Sequence, residues 1–159
     1  KNKIKTLIRS LKAKDRRNCF PILQKFENID DVKYFVNEYR NLNFNILINN
    51  ARDISNLEFD QNSYKQIENF NKETFLAVVL PYFLSTKLKK NFLKSIVNIS
   101  SIYGVVAGDE KRYPGLGVHM PSYFTSKHAL IGLTKFLAAQ VAKSGVATSS
   151  WDMSYVSPS

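Results

Sequence analysis

The sequence predicts an α/β fold built on a parallel β-sheet, and two features of the pattern indicate this. Short apolar runs of strand length end in polar residues, at positions 45–50 and 95–101. Longer segments with helical periodicity separate these runs, which is the arrangement of βαβ units. Because the runs are apolar without alternation, we expect their strands to be buried on both faces.

Each element is assigned from its apolar spacing and from the residues at its ends. Asp30 and Asp31, for example, open an amphipathic segment and match the positive end of a helix. Residues 144–159 lose periodicity and leave two interpretations open, a poorly specified strand or an altered end. In chain order, the predicted elements are helix 3–15, strand 19–23, a helix from Asp30, strand 45–50, helix 61–91, strand 95–101 and helix 122–143.

The composition is that of one soluble globular domain covering residues 1–159, since 44% of the residues are hydrophobic and 23% charged. No apolar run reaches the length of a membrane span. Cys19 is the sole cysteine, so no intramolecular disulfide can form, and we expect a cytoplasmic protein with Cys19 buried in a strand. His119 and His128 are too few for a metal cluster, and we expect no metal.

A formal net charge of +10 raises the possibility of a nucleic-acid-binding protein. Basic residues crowd the first 17 positions, where they interleave with apolar residues at helical spacing. A solvated helix face is the simpler interpretation, so we do not expect nucleic acid as a partner. The alternative function is a basic module that binds nucleic acid or an acidic partner.

Polar residues follow two of the predicted strands. Asn49, Asn50 and Ala51 come after one strand, and Ser100 and Ser101 come after the next. Ligands of open parallel sheets bind beyond the carboxyl ends of the strands. These positions are therefore candidates for a binding site, although a polar cap on a buried strand explains either pair alone.

A third candidate lies at the start of the last predicted helix. Tyr123 and Lys127 are four residues apart, which places them on one helix face. A nearby ammonium group stabilises a phenolate, and this favours a tyrosine as a general acid–base. In isolation, the Y-x-x-x-K spacing is also common by chance.

Together, these three motifs resemble the short-chain dehydrogenase/reductase family, whose patterns are N-N-A-G, a strand ending in Ser, and Y-x-x-x-K. The resemblance covers nearly the whole chain. It implies a Rossmann-like, doubly wound parallel sheet, of which this chain would lack the first two strands and the last. It also implies an NAD- or NADP-dependent oxidoreductase that interconverts a carbonyl and an alcohol. The longer segment after Ser101 is similar to members from surface-glycan and flagellin-modification pathways.

The resemblance implies a catalytic role for four residues. Tyr123 would exchange the proton with the substrate oxygen, Lys127 would assist it and hold the nicotinamide ribose, and Ser101 would orient the substrate oxygen. Asn71 is the best match to the asparagine that supports a proton-relay water in the family, with Asn69 as the other possibility.

The resemblance also implies a cofactor path. Asn50 and Ala51 would lie along the cofactor, together with Tyr123 and Lys127. Arg52 departs from the family pattern, because it stands where N-N-A-G has its last glycine and adds bulk and charge there.

All six glycines lie at position 104 or later, so no glycine-rich phosphate-binding turn precedes the motifs. We therefore expect a truncated chain that binds NAD(P) weakly by itself. A catalytically dead remnant that pairs with an intact homologue is a further alternative. For the full-length protein we expect a small-molecule carbonyl or alcohol as substrate, no membrane partner, and a homo-oligomer paired through its long helices. Apolar residues for such pairing, which core packing explains equally well, are Leu76, Val79, Leu80, Leu130, Leu133, Phe136 and Leu137.

Overall fold

The structure is a computed structural model that describes residues 19–57, 63–88, 93–107, 121–141 and 145–151. Its helices and strands alternate along the chain, and short irregular helical turns connect some of them. The helices are α1 (Ile29–Tyr39), α2 (Ser63–Thr74), α3 (Leu80–Lys87) and α4 (Pro121–Val141), and the strands are β1 (Ile46–Asn49), β2 (Ser95–Ile99) and β3 (Ala147–Trp151).

Within the described residues, the three strands form one parallel sheet in the order β1–β2–β3. Asn49 at the end of β1 lies opposite Asn98 in β2. The predicted α/β class with a partial Rossmann-like parallel sheet is confirmed, as are the strands expected at 45–50 and 95–101. Of the two interpretations of the chain end, a strand forms, since β3 pairs along β2.

The strand predicted at 19–23 is wrong, because residues 19–26 have no regular structure. Phe20 and Leu23 are 84% and 62% exposed, and Cys19 is exposed rather than buried. A strand requires a neighbour that satisfies its backbone groups. In the described part of the chain, β1 pairs only with β2 and no strand lies along its other edge. The predicted helix 3–15 lies outside the described residues.

Helix α1 begins at Ile29 because Asn28 caps it. The Asn28 side chain accepts hydrogen bonds from the backbone N–H groups of Asp30 and Asp31. The Asp31 carboxylate accepts one in return from the backbone N–H of Asn28, at 3.2 Å. This reciprocal capping box satisfies N–H groups that a helix start leaves unpaired.

The single helix predicted at 61–91 is interrupted by a π-helical turn at Phe75–Val79. At its end, the N–H of Leu80 donates to the carbonyl of Phe75, five residues earlier. Pro81 follows directly, and a proline inside a helix lacks the N–H donor and crowds the preceding turn. The wider π turn accommodates that proline, and such turns are frequent at functional sites.

The core has two parts within the described residues. Val32, Leu80 and Leu84 pack between α1 and α3, and Ile96 is buried within the sheet. Leu80, Leu130 and Leu137, which the sequence also allows at a subunit interface, are at most 2% exposed, so they belong to the core. Phe136 remains half exposed.

A chain of buried hydrogen bonds connects β1, β2 and α4. The Asn49 amide donates to Asn98 Oδ1 at 2.8 Å, and Asn98 Nδ2 donates to Thr134 Oγ1 at 2.9 Å. The Thr134 hydroxyl donates to the carbonyl of Leu130 within α4. Asn98 is fully buried, so both of its partners depend on it.

We predict that Asn98→Ala destabilises the protein by about 2–4 kcal/mol, because it removes two buried hydrogen bonds at once and leaves the Asn49 amide without its acceptor. Equilibrium urea unfolding measures this loss. Thr134→Val is the matched control. It removes only the last side chain of this hydrogen-bond network, so its unfolding free energy should fall by about 1 kcal/mol. Equal losses in the two variants would contradict the central role of Asn98.

Candidate active site

The predicted site residues converge on the carboxyl ends of β1 and β2. Asn50 and Ala51 directly follow β1, and they share with Lys127 the lining of a cleft of about 100 Å³. Ser101 follows β2 by two residues, and Tyr123 lies in the first turn of α4. The structure therefore brings five of the six predicted residues to one end of the sheet.

Tyr123 and Lys127 lie together on the buried side of α4, each 9% exposed. The Lys127 ammonium is 5.6 Å from the centre of the Tyr123 ring. It donates a 2.7 Å hydrogen bond to the carbonyl of Ile99, the last residue of β2. This bond fixes the lysine between the strand end and the tyrosine.

Burial lowers the pKa of Lys127 below its ordinary value of 10.5, because the charged form loses solvation. The negative charge of Glu73 acts in the opposite direction and raises this pKa. The positive charge of Arg52 lowers it further. The pKa of Lys127 therefore depends first on burial and then on two charged side chains from other parts of the fold.

The two serines after β2 have different contacts. Ser100 Oγ lies 3.3 Å from the carbonyl of Lys127 and donates to it, which connects the strand end to α4. Ser101 Oγ accepts the backbone N–H of Tyr103 at 3.3 Å. The Tyr103 ring then packs edge-on against Tyr123, with ring centres 6.1 Å apart. The substrate-orienting role of Ser101 stays a prediction, with its hydroxyl in the same corner as Tyr123.

Gly104 lies where the turn after β2 packs against α4. A Cβ atom at this position would lie 2.7 Å from Ile131 Cδ1, 2.9 Å from Ser100 Oγ and 3.0 Å from the carbonyl oxygen of Lys127. These distances are shorter than ordinary van der Waals contacts, so only glycine fits. The turn Ile102–Gly104, which the Ser101 side chain caps, can therefore pack closely on α4, the helix that carries Tyr123.

Arg52 contacts the tyrosine directly, which the sequence did not predict. Its guanidinium carbon is 4.2 Å from the centre of the Tyr123 ring, a cation–π geometry. Arg52 also lines a cleft of about 370 Å³ together with Asp53 and Lys72. Arg52, which stands in place of the last glycine of N-N-A-G, thus lies over the Tyr123 ring.

The structure gives no support to Asn71, whose side chain is exposed on α2. The other possibility, Asn69, is buried, 5% exposed. No observation assigns the relay role to either residue. A buried side chain of α2 that contacts α4 is that of Glu73, which sequence reasoning missed.

Glu73 is 1% exposed and lies against the helix that carries Tyr123 and Lys127. Its Oε1 atom is 3.4 Å from the hydroxyl of Ser126, and Oε2 has no hydrogen-bond partner among the described residues. Burial raises the pKa of Glu73, while the charges of Arg52 and Lys127 lower it. One sequence signal could have found this residue: Glu73 is spaced four and seven residues before the apolar Ala77 and Leu80, which places it on their helix face.

Two kinds of feature are not found in the described residues. No group of three His, Cys, Asp or Glu side chains there could hold a metal ion. None of the helices there combines the length and the apolar character of a membrane span.

The model of the short-chain dehydrogenase family matches residues 1–158. The chain belongs to that family. The 2-dehydro-3-deoxy-D-gluconate 5-dehydrogenase of Dickeya dadantii (strain 3937) is 28% identical over 109 residues, which are 64% of this chain and 37% of that protein. The D-beta-hydroxybutyrate dehydrogenase of Rhizobium meliloti (strain 1021) is 38% identical over 69 residues, 43% of this chain and 23% of that protein.

Solved structures of the family share the fold. A 4-hydroxyisoleucine dehydrogenase complexed with NADH and succinate superposes with a TM-score of 0.64 at 26% identity, covering 82% of this chain and 59% of that one. A short-chain dehydrogenase from Sphingobium yanoikuyae has a TM-score of 0.60 at 20% identity, covering 80% and 47%. The chain thus spans less than two thirds of the length of each of these relatives.

We predict that Gly104→Ala destabilises the protein by about 1–3 kcal/mol, because the added methyl group forces the turn away from α4. Thermal unfolding measures the effect. Gly132→Ala, also at α4 but with nothing within 4 Å of the added Cβ, is the control and should stabilise the helix by about 1 kcal/mol. The prediction fails should both variants unfold at the same temperature.

We predict that Glu73→Gln changes how stability depends on pH. Since burial raises the folded-state pKa of Glu73 above its ordinary value of 4.5, the contribution of Glu73 to stability is fully present below about pH 4.5 and is lost as the pH rises through the folded-state pKa. Glutamine removes this loss, so the variant should become more stable relative to wild type between acidic and neutral pH. Urea unfolding at several pH values measures the difference, and a constant difference would contradict the burial effect.

Proposed function

We propose that the protein transfers hydride between NAD or NADP and a carbonyl or alcohol group of a small molecule, with Tyr123 as the acid–base. The observation that carries this proposal is the position of Tyr123 beside Lys127, whose ammonium is hydrogen-bonded to the end of β2. Membership of the short-chain dehydrogenase family supports the reaction class.

In the reductive direction, the Tyr123 hydroxyl donates its proton to the oxygen of the substrate carbonyl. In the oxidative direction, the phenolate accepts the proton of the alcohol. The Lys127 ammonium stabilises the phenolate in both cases. The Ser101 hydroxyl donates a hydrogen bond that orients the same substrate oxygen, and Gly104 keeps this serine close to α4.

The residues at the strand ends fit the nicotinamide ribose of a dinucleotide. A lysine ammonium has three donors, and Lys127 uses one of them on Ile99, so two donors remain for ribose hydroxyls. Asn50 and Ala51 line the same cleft and are exposed. The cofactor, when bound, supplies or accepts the hydride.

We further propose that the substrate is a hydroxy acid or its oxo acid. The names of the relatives contain gluconate, hydroxybutyrate and hydroxyisoleucine. Each of these compounds has a carboxylate in addition to an alcohol or a carbonyl group. The Arg52 guanidinium, 4.2 Å from the Tyr123 ring, provides a cation for such a carboxylate close to the reacting oxygen.

The same proposal includes one domain over residues 1–159, a cytoplasmic location and a homo-oligomer. The half-exposed Phe136 on α4 supports pairing through the long helices. A basic nucleic-acid-binding module is not favoured, because the family match points to a dehydrogenase.

We predict that Tyr123→Phe lowers kcat/KM for NAD(P)H-dependent reduction of acetoacetate or a related oxo acid by about 10²–10⁴-fold, because the proton donor is lost. The decrease in NAD(P)H absorbance measures the rate. Tyr82→Phe, which changes a more exposed tyrosine on α3, should retain wild-type activity. Activity of the Tyr123 variant within about tenfold of wild type would rule out this tyrosine as the acid–base.

A further inference from the structure

Glu73 is an unusual group for its place in the fold. A carboxyl group with 1% exposure and one oxygen without a hydrogen-bond partner in the described structure is unfavourable, because burial removes solvation without replacing it. Among the described residues, no other aspartate or glutamate is buried. Core packing alone would be better served by an apolar side chain at this position on α2.

The surroundings of Glu73 are cationic. Arg52, in the loop after β1, and Lys127 on α4 both act electrostatically on its carboxyl group. These are the same two cations that lie over the Tyr123 ring, at 4.2 Å and 5.6 Å from its centre. Without Glu73, the surroundings of the Tyr123 ring would contain the positive charges of Arg52 and Lys127 and no buried negative charge among the described residues.

Glu73 also contacts α4 between the two residues of the motif. The Ser126 hydroxyl lies 3.4 Å from Glu73 Oε1 and donates to the carbonyl of Tyr123 at 2.9 Å. Ser126 is 1% exposed and directly precedes Lys127. The carboxyl group is therefore placed against the single helical turn that sets Tyr123 and Lys127 relative to each other.

We propose that Glu73 is a positioning residue that acts through Lys127: its buried carboxylate is the counter-charge that keeps the Lys127 ammonium protonated beside Arg52. This inference rests on the proposed role of Tyr123 for its catalytic consequence, since only a protonated Lys127 carries the positive charge that stabilises the phenolate. The electrostatic claim itself needs neither cofactor nor substrate.

Among the described residues, several charged or titratable groups face Lys127 and influence its protonation. Glu73 of α2 opposes Arg52 from the loop after β1, and Tyr123 lies one turn away on the same helix. From the sheet, the Ile99 carbonyl of β2 accepts the ammonium hydrogen bond. Asp53 acts on Glu73 as a weaker negative charge. Removal of Glu73 and removal of Arg52 should therefore shift the pKa of Lys127 in opposite directions.

The test is a pH titration of the Lys127 ammonium by NMR of protein labelled with carbon-13 at the lysine ε-carbons. The Lys127 signal is assigned by its disappearance in Lys127→Arg. In Glu73→Gln, we expect the titration midpoint to move to lower pH by about half a pH unit, roughly a threefold change in the ammonium-to-amine ratio. In Arg52→Gln, we expect a shift of similar size to higher pH.

Three further variants separate the effect of the charge from that of its position. Glu68→Gln removes an equal charge from the same helix at an exposed site and should leave the midpoint unchanged. Glu73→Asp retains the charge and should restore the wild-type midpoint, at least in part. Ser126→Ala removes only the hydroxyl contact and should have little effect on the midpoint.

An unchanged Lys127 midpoint in Glu73→Gln, or a shift equal to that of Glu68→Gln, overturns the proposal. Where the enzyme activity proposed above is found, the alkaline limb of the kcat/KM profile should move to lower pH in Glu73→Gln and not in Glu68→Gln. A shifted midpoint in a protein without dehydrogenase activity would leave the role of Glu73 intact and refute the proposed function instead.

Discussion

The hydrogen bond between the Lys127 ammonium and the Ile99 carbonyl connects the long helix α4 to the last residue of the central strand. In a parallel sheet, the strand ends are the binding edge, so this bond sets α4 at the place where chemistry is possible. Ser100 adds a second connection through the backbone carbonyl of Lys127. Gly104 lets the following turn approach α4 without a side chain between them. Because these contacts all end on α4, the position of Tyr123 depends on them.

Burial of the Lys127 ammonium between β2 and α4 changes its pKa. Burial favours the neutral amine and lowers the pKa of Lys127, and the guanidinium of Arg52 acts in the same direction. Glu73 opposes both, although its own burial raises its pKa. The site is thus a balance of three charges from three separate parts of the fold.

Much of the fold follows from local pattern. Asn45–Asn50 is an unbroken apolar run with polar ends, Ser95–Ser101 is an apolar run interrupted only by Asn98, and both contain strands of the parallel sheet. The run at 19–23 contains Pro21 and forms no strand, and no described strand lies along the free edge of β1. The π turn before Pro81 was also not predicted, since it depends on how one proline is accommodated within a longer helix.

The sequence by itself determined the order of the motifs, the four-residue spacing of Tyr123 and Lys127, and the family to which they point, because these depend on residues close together in the chain. Only the tertiary structure placed Glu73 and Arg52 at the same site, since they come from α2 and from the loop after β1. Their roles depend on burial and on distances between segments. Asn71 matches the family motif in sequence, but its side chain is exposed on α2. Sequence spacing alone could not predict this, because packing decides which face of a helix is buried.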